Sequence, residues 1–275
     1  MSTGRKLCTI IGSDKGGVGK SMVSLIMTLV FDHAGYPLRV VEIDNQRKLT
    51  SVLGSDRIDF SLAASPDLVE VSRNRHAAES FFNPVYLQWA KGDSVTDLGA
   101  NVTTSLMAWF RQCEIGELAA EDMIDFRFVA CASPDEQAIK SAVTAIEEAR
   151  RTLGQTAEYF VVLNDLGGST GFVPYADNPA FRDLRRLENE GKVGVLEIPY
   201  CDSLLLEHGK AMGLNPLQVV NQADRVAAAA GLDPVGSRVH KKKMIVWLKE
   251  TQHNLAPLFT VEERQAQAAP GYAAA

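Results

Sequence analysis

Short apolar runs and longer amphipathic stretches alternate along most of this chain, and their periods predict its elements. Leu7 to Ile11 is a brief continuous apolar run, the length of a buried strand. Met22 to Phe31 is apolar nearly all round and predicts a helix from Ser21 to about Ala34, pressed onto a sheet. Gly35 supplies its stop, and Pro37 prevents continuation. A second strand is predicted over Leu38 to Asp44, a third ending at Asp97, and another over Phe126 to Ala132. Ser133-Pro134-Asp135-Glu136 then reads as a helix start, with serine as cap, proline first in the helix and glutamate three residues after the cap. Ile139, Ala142, Val143, Ile146, Ala149 and Leu153 carry that helix at helical spacing to Gly154. A strand over Tyr159 to Leu163, a charged helix from about Pro179 to Asn189 and a strand over Val193 to Ile198 follow. Between Gly54 and Gly92 the pattern is mixed. There Ser65-Pro66-Asp67 suggests the opening of a short helix, and Asn83-Pro84 is expected to break whatever precedes it. Such alternation predicts the α/β class: a doubly wound, mostly parallel sheet with helices on both faces, three layers deep, its ligand chemistry at the carboxyl ends of the strands.

Composition narrows the picture. At 275 residues the chain has room for one well-buried domain, expected over residues 1–260, and the Ala-rich stretch 261–275 is expected to be a disordered tail. A net charge of −6 argues against a protein that coats DNA with its whole surface, so any contact with DNA should be confined to a patch and sensitive to salt. The first apolar run is too short for a signal peptide, and no apolar stretch approaches the ~20 residues of a membrane span. A soluble, cytoplasmic protein is expected. The 4 cysteines, Cys8, Cys113, Cys131 and Cys201, form no C-x-x-C pair and read as reduced. The 5 histidines show no ligand spacing.

The strongest chemical signal lies between the first strand and the first helix, in the run Lys15-Gly16-Gly17-Val18-Gly19-Lys20-Ser21. Its glycines let the backbone turn tightly and bring its N–H groups against a polyphosphate. Amides from Gly16 through Val18 to Met22 would form the cradle, Lys20 would reach the terminal phosphates, and Ser21 would offer its hydroxyl to Mg²⁺ at the positive end of the helix. Where a G-x-x-x-x-G-K-[ST] loop has its first glycine this chain has Asp14, and it carries a second lysine, Lys15, inside the loop.

With that second lysine the loop resembles the K-G-G-x-G-K-[ST] signature of the deviant Walker-A ATPases of the ParA/MinD type. The resemblance implies a P-loop fold, ATP and Mg²⁺ as ligands, and a homodimer that closes over two nucleotides with Lys15 crossing to the partner's phosphates. Lys15, Lys20 and Asp44 are then the catalytic candidates. The family's D-x-D-P-Q strand end lies over Glu42-Ile43-Asp44-Asn45-Gln46 without a gap, with Asn45 in place of proline. By the resemblance Asp44 positions the hydrolytic water and Glu42 lies near the magnesium shell; an edge-strand carboxylate facing water is the plainer alternative for Glu42. Asp97, in Asp97-Leu98-Gly99-Ala100, takes the place of a second magnesium-side carboxylate, or is simply a cap or turn residue. The family usually has D-x-P-P there; D-x-G-A is similar to the conjugative-transfer branch of the TraL type. Asn164 is the candidate for reading adenine, with a turn role for Asn164-Asp165 equally open, and Pro199 would flank the base.

Near the carboxyl end Arg238-Val239-His240-Lys241-Lys242-Lys243 precedes an apolar stretch. It suits DNA phosphates, as in ParA-like members, a membrane surface less well, or the solvated rim of a packed helix. The resemblance implies a slow ATPase, stimulated by a partner or cargo protein, that works as a nucleotide-dependent dimer switch in partition, conjugative transfer or cellular positioning. The alternative is a nucleotide-dependent scaffold that scarcely hydrolyses. Nitrogenase iron protein shares the loop type, but Cys113 and Cys131 lack the glycine-rich setting of its cluster cysteines. A metabolic enzyme of the dethiobiotin synthetase kind is disfavoured by the two-lysine loop.

Overall fold

The computed structural model describes residues 4–63 and 73–259. Among the described residues one sheet contains β1 (Lys6–Gly12), β2 (Arg39–Ile43), β3 (Phe60–Leu62), β4 (Ser94–Leu98), β5 (Ile124–Ala132), β6 (Glu158–Asn164) and β7 (Gly194–Ile198). Their order is β3-β2-β4-β1-β5-β6-β7, and every neighbouring pair is parallel. Parallel strands need crossovers, and helices supply them. Successive side chains of β1 point to opposite faces, Leu7 and Ile11 into one apolar core and Cys8 and Ile10 into the other.

The first core is closed by α1 (Lys20–His33), α2 (Lys48–Leu53), α8 (Leu204–Ala211), α9 (Pro216–Asn221), α10 (Ala223–Ala229) and α11 (Pro234–Asn254). The second is closed by α3 (Arg75–Trp89), α4 (Val102–Gln112), α5 (Ile115–Glu121), α6 (Glu136–Leu153) and α7 (Pro179–Asn189). Helix α1 is buried along most of its length, as its all-round apolarity predicts, and it ends in a Schellman turn. Tyr36 N–H donates to Phe31 O at 2.9 Å, Gly35 N–H to Asp32 O at 3.1 Å, and Gly35 takes the left-handed φ of 69°.

Two local expectations are corrected. Pro84 does not break a helix: it sits inside α3. The bond it forfeits costs about 3 kcal/mol. Phe82, Val85, Tyr86 and Trp89 are buried from the same helix, at about 2 kcal/mol or more each, and outweigh it. Asn83 is also engaged, accepting from Trp109 Nε1 at 3.2 Å. The cap of α6 is Asp135, not Ser133: its carboxylate accepts the Ala138 N–H at 2.8 Å, and Pro134 lies outside the helix against Gly167. A carboxylate both accepts that bond and complements the helix dipole, so it displaces the serine two residues earlier. The short helix expected to open at Ser65-Pro66-Asp67 and the tail 261–275 lie outside the described residues.

Candidate functional site

The order of the strands turns at β1, which lies between β4 and β5, and the loop that leaves β1 fills the crevice above that point. Gly17 and Gly19 adopt φ of 78° and 101°, a region that favours glycine. At Gly19 a Cβ would also fall 2.1 Å from Asn164 Nδ2. Lys20 opens α1 yet is only 7% exposed; its ammonium donates to Ser13 O and Lys15 O, both at 2.7 Å, and so closes the loop upon itself. Burial lowers the Lys20 pKa, opposed by negative charge at Asp97 and Asp14. Asp14, the departure from the ordinary first glycine, has a structural use: its carboxylate accepts the Thr103 N–H at 3.1 Å and the Thr104 hydroxyl, capping α4 and tying the loop to the segment after β4.

The carboxylates predicted from the strand ends behave differently from one another. Asp97 is 1% exposed; Ser24 Oγ donates to its Oδ1 at 2.9 Å, while its Oδ2 is buried without a partner. Burial pushes its pKa up to about 7, the nearby Glu42 charge adds to that, and the Ser21 and Ser24 hydroxyls and Lys20 act the other way. Glu42 faces Asp97 across the β2–β4 register and is fully buried, but both of its oxygens are taken. They accept from Leu49 N at 2.7 Å, from Thr50 N at 3.3 Å and from the Thr50 hydroxyl, all in the first turn of α2. Asp44 lies at the cavity wall. Gly99 makes room for it, since a Cβ there would stand 2.7 Å from Asp44 Oδ1, and the Gly99 N–H donates to Ile43 O at 2.7 Å. The D-L-G-A departure thus has a steric reason.

A cavity of about 480 Å³ opens over these groups. It brings together Gly16, Gly17, Val18, Gly19, Lys20, Ser21, Met22 and Asp44 from the predicted set. Among the described residues no acceptor takes the amides of Gly16, Gly17, Val18 or Gly19, whereas Met22 N–H already donates to Gly19 O at 3.0 Å. Lys15, Glu42, Asp97, Asn164 and Pro199 do not line it. Lys15 is half-exposed, 3.7 Å from Asp135. Asn164 Nδ2 donates to Val18 O at 3.3 Å, beneath the loop, and Pro199 O accepts from Trp247 Nε1 at 2.8 Å. The cavity also holds residues that sequence reasoning missed: Lys48, Leu49 and Val52 of α2, and Leu206 and Lys210 of α8. Lys48 stands close after Gln46 and was within reach of motif reading. Nothing in the sequence signals that α8, packed on α9, α10 and α11, brings Leu206 and Lys210 to this cavity.

A divalent cation fits this site. Ser21 and the orphaned Asp97 oxygen are the groups that would hold it, with phosphate oxygens and water completing its shell. Among the described residues no three His, Cys, Asp or Glu side chains gather into a metal site of their own. Bound there, the ion would neutralise phosphate charge. The chain's own part is a cradle of free amides, a buried ammonium and a carboxylate, Asp44, at the cavity wall.

Among solved structures the fold is similar to the MinC:MinD cell division protein complex of Aquifex aeolicus, at 14% identity over 88% of this chain and 93% of that one, with a TM-score of 0.46. It is also similar to a complex of a Cyanothece McdA variant with ATP, at 11% identity over 84% of this chain and 98% of that one, with a TM-score of 0.45. No curated protein sequence matches the chain. Residues 9–211 match the CobQ/CobB/MinD/ParA nucleotide binding domain, a span that runs from β1 through the loop, the strand ends and α8. The chain belongs to that family of nucleotide-binding proteins.

Proposed function

We propose that this protein binds ATP with Mg²⁺, hydrolyses it slowly, and uses the nucleotide to switch between monomer and dimer. The observation that carries the reading is the buried, unpartnered Asp97 oxygen beside Ser21 and Lys20, at the foot of a cavity walled by free loop amides. A buried acceptor without a partner is costly, and a cation held between it and a polyphosphate removes that cost. Asp44, given space by Gly99, is the group that would orient the attacking water. Lys15, half-exposed beside Asp135, is free enough to swing toward a second copy. Nucleotide that contacts both copies links dimerisation to its own γ-phosphate.

The biological role that suits such a timer is positioning of cargo in the cytoplasm: a plasmid, a conjugative-transfer complex or another cell structure, with a partner protein stimulating hydrolysis. Among the described residues no helix is long and apolar enough to cross a membrane. The basic segment Arg238 to Lys243 lies in α11, whose Met244, Trp247 and Thr251 are buried against the domain. Lys243 is paired with Asp202 at 2.6 Å, leaving Arg238 and Lys242 as the exposed cations of that segment. Cosedimentation with nonspecific DNA or anionic liposomes identifies the surface.

Size-exclusion chromatography with ATP tests the switch. Lys20→Ala abolishes ATP binding, whereas Asp44→Ala binds and stays dimeric. A monomer in every nucleotide state overturns the switch. A second reading, a scaffold with little hydrolysis, draws on the engagement of Glu42 by α2, which leaves Asp44 the lone carboxylate lining the cavity among the described residues. Phosphate release no faster than that of Asp44→Ala would favour it.

A further inference from the structure

Glutamate at 42, a departure from the pattern this chain resembles, falls close to the basic pair Arg47-Lys48 after Gln46. The structure joins them. Glu42 is fully buried on β2, yet its carboxylate spans the first turn of α2, accepting from Leu49 N at 2.7 Å, Thr50 N at 3.3 Å and the Thr50 hydroxyl. An aspartate would stop one methylene short, by ~1.5 Å, and would leave those donors unmet. The chain between them turns through Arg47 in the left-handed region, at φ 47°, so α2 begins at Lys48.

That start places Lys48 in the wall of the cavity that holds Lys20, Ser21 and Asp44. Its side chain is exposed, and among the described residues no carboxylate stands at ion-pair distance from it. Its charge is close enough to lower the Lys20 pKa. Two cations that repel each other across a cavity are stabilised together by an anion with several negative oxygens.

We infer that Lys48 is a third cation for the polyphosphate, and that Glu42 is the positioning residue that puts it there rather than a ligand of the magnesium ion. This rests on the ATP reading above. The test separates the two by using inorganic tripolyphosphate beside ATP.

Calorimetry on the full chain is run with each ligand, in Mg²⁺ and in EDTA. Lys48→Gln weakens both ligands about tenfold, the scale of one charge-assisted contact, with or without the metal. Glu42→Ala weakens tripolyphosphate by a similar factor in EDTA as well as in Mg²⁺. The double variant is no weaker than Lys48→Gln alone, because both act through one ammonium. Where Glu42→Ala folds poorly, Glu42→Gln serves: it keeps an acceptor for Leu49 N and binds within about twofold of wild type. Unchanged binding in Lys48→Gln overturns the inference, as does a Glu42 effect that vanishes in EDTA. Failure of wild type to take up ATP while tripolyphosphate still binds overturns the ATP reading instead, and leaves the Lys48 comparison measurable.

Discussion

Asp97 sets stability against function, and the conflict can be measured. Its ordinary pKa of 3.8 rises to about 7 in the fold, chiefly through burial. Between those values the folded chain holds a proton that the unfolded chain has released, so stability falls as pH rises through that window and stays reduced above it. Three units at 1.36 kcal/mol each put the ceiling of the cost near ~4 kcal/mol. Asp97→Asn removes the charge and keeps an oxygen for Ser24, but it buries an amide N–H₂ that needs an acceptor, costing about 1–2 kcal/mol. The net expectation at pH 8 without nucleotide is a variant more stable than wild type by about 2 kcal/mol, several degrees in melting temperature. Urea unfolding of both proteins at pH 5 and pH 8 isolates the group, since other titrating residues cancel in the difference. The advantage of the variant should grow by about 2–3 kcal/mol from pH 5 to pH 8. ATP with Mg²⁺ should stabilise wild type strongly and the variant weakly, because a cation replaces the missing partner only where a carboxylate is present. A variant less stable at pH 8, or a difference independent of pH, would refute the reasoning.

Other residues yield smaller tests. Gly99→Ala pushes a Cβ to within 2.7 Å of Asp44 Oδ1; nucleotide affinity should stay within about threefold while single-turnover phosphate release drops at least about tenfold. Asp14→Ala removes the cap on α4 and should cost about 1 kcal/mol in chemical denaturation, with a parallel loss of tripolyphosphate affinity because the loop loses its tie to Thr103 and Thr104. Arg127 is 2% exposed and bonded to Glu158 at 2.6 Å and to Leu258 O at 2.7 Å; Glu158→Ala should destabilise by about 2 kcal/mol, less than a fully buried pair because Glu158 is partly solvated. A loss below about 0.5 kcal/mol would mean that water already serves that guanidinium.

Local rules made the architecture legible. The all-round apolarity of Met22 to Phe31, the alternation of apolar run and amphipathic helix, and the glycines at 17 and 19 each report on a few neighbouring residues, and α1, β1, β5, β6 and the phosphate loop follow from them. Local rules failed where a distant contact outweighed them or where two neighbouring signals competed. Pro84 stays helical because buried aromatic surface exceeds the cost of one lost bond. Asp135 rather than Ser133 caps α6 because two cap candidates stood close together and the charged one wins. Motif spacing likewise placed Gly16 to Ser21 and Asp44 around one cavity, since strand ends of a parallel sheet converge above the loop. What motif reading could not reach was the direction in which a side chain turns. Glu42 points along its own strand end into α2, Asn164 under the loop and Pro199 O to Trp247, and Lys210 arrives from α8, which packs on α9, α10 and α11. A chain's sequence carries its periodicities residue by residue, whereas the partner of a buried polar group is chosen by packing, and only the tertiary structure decides it.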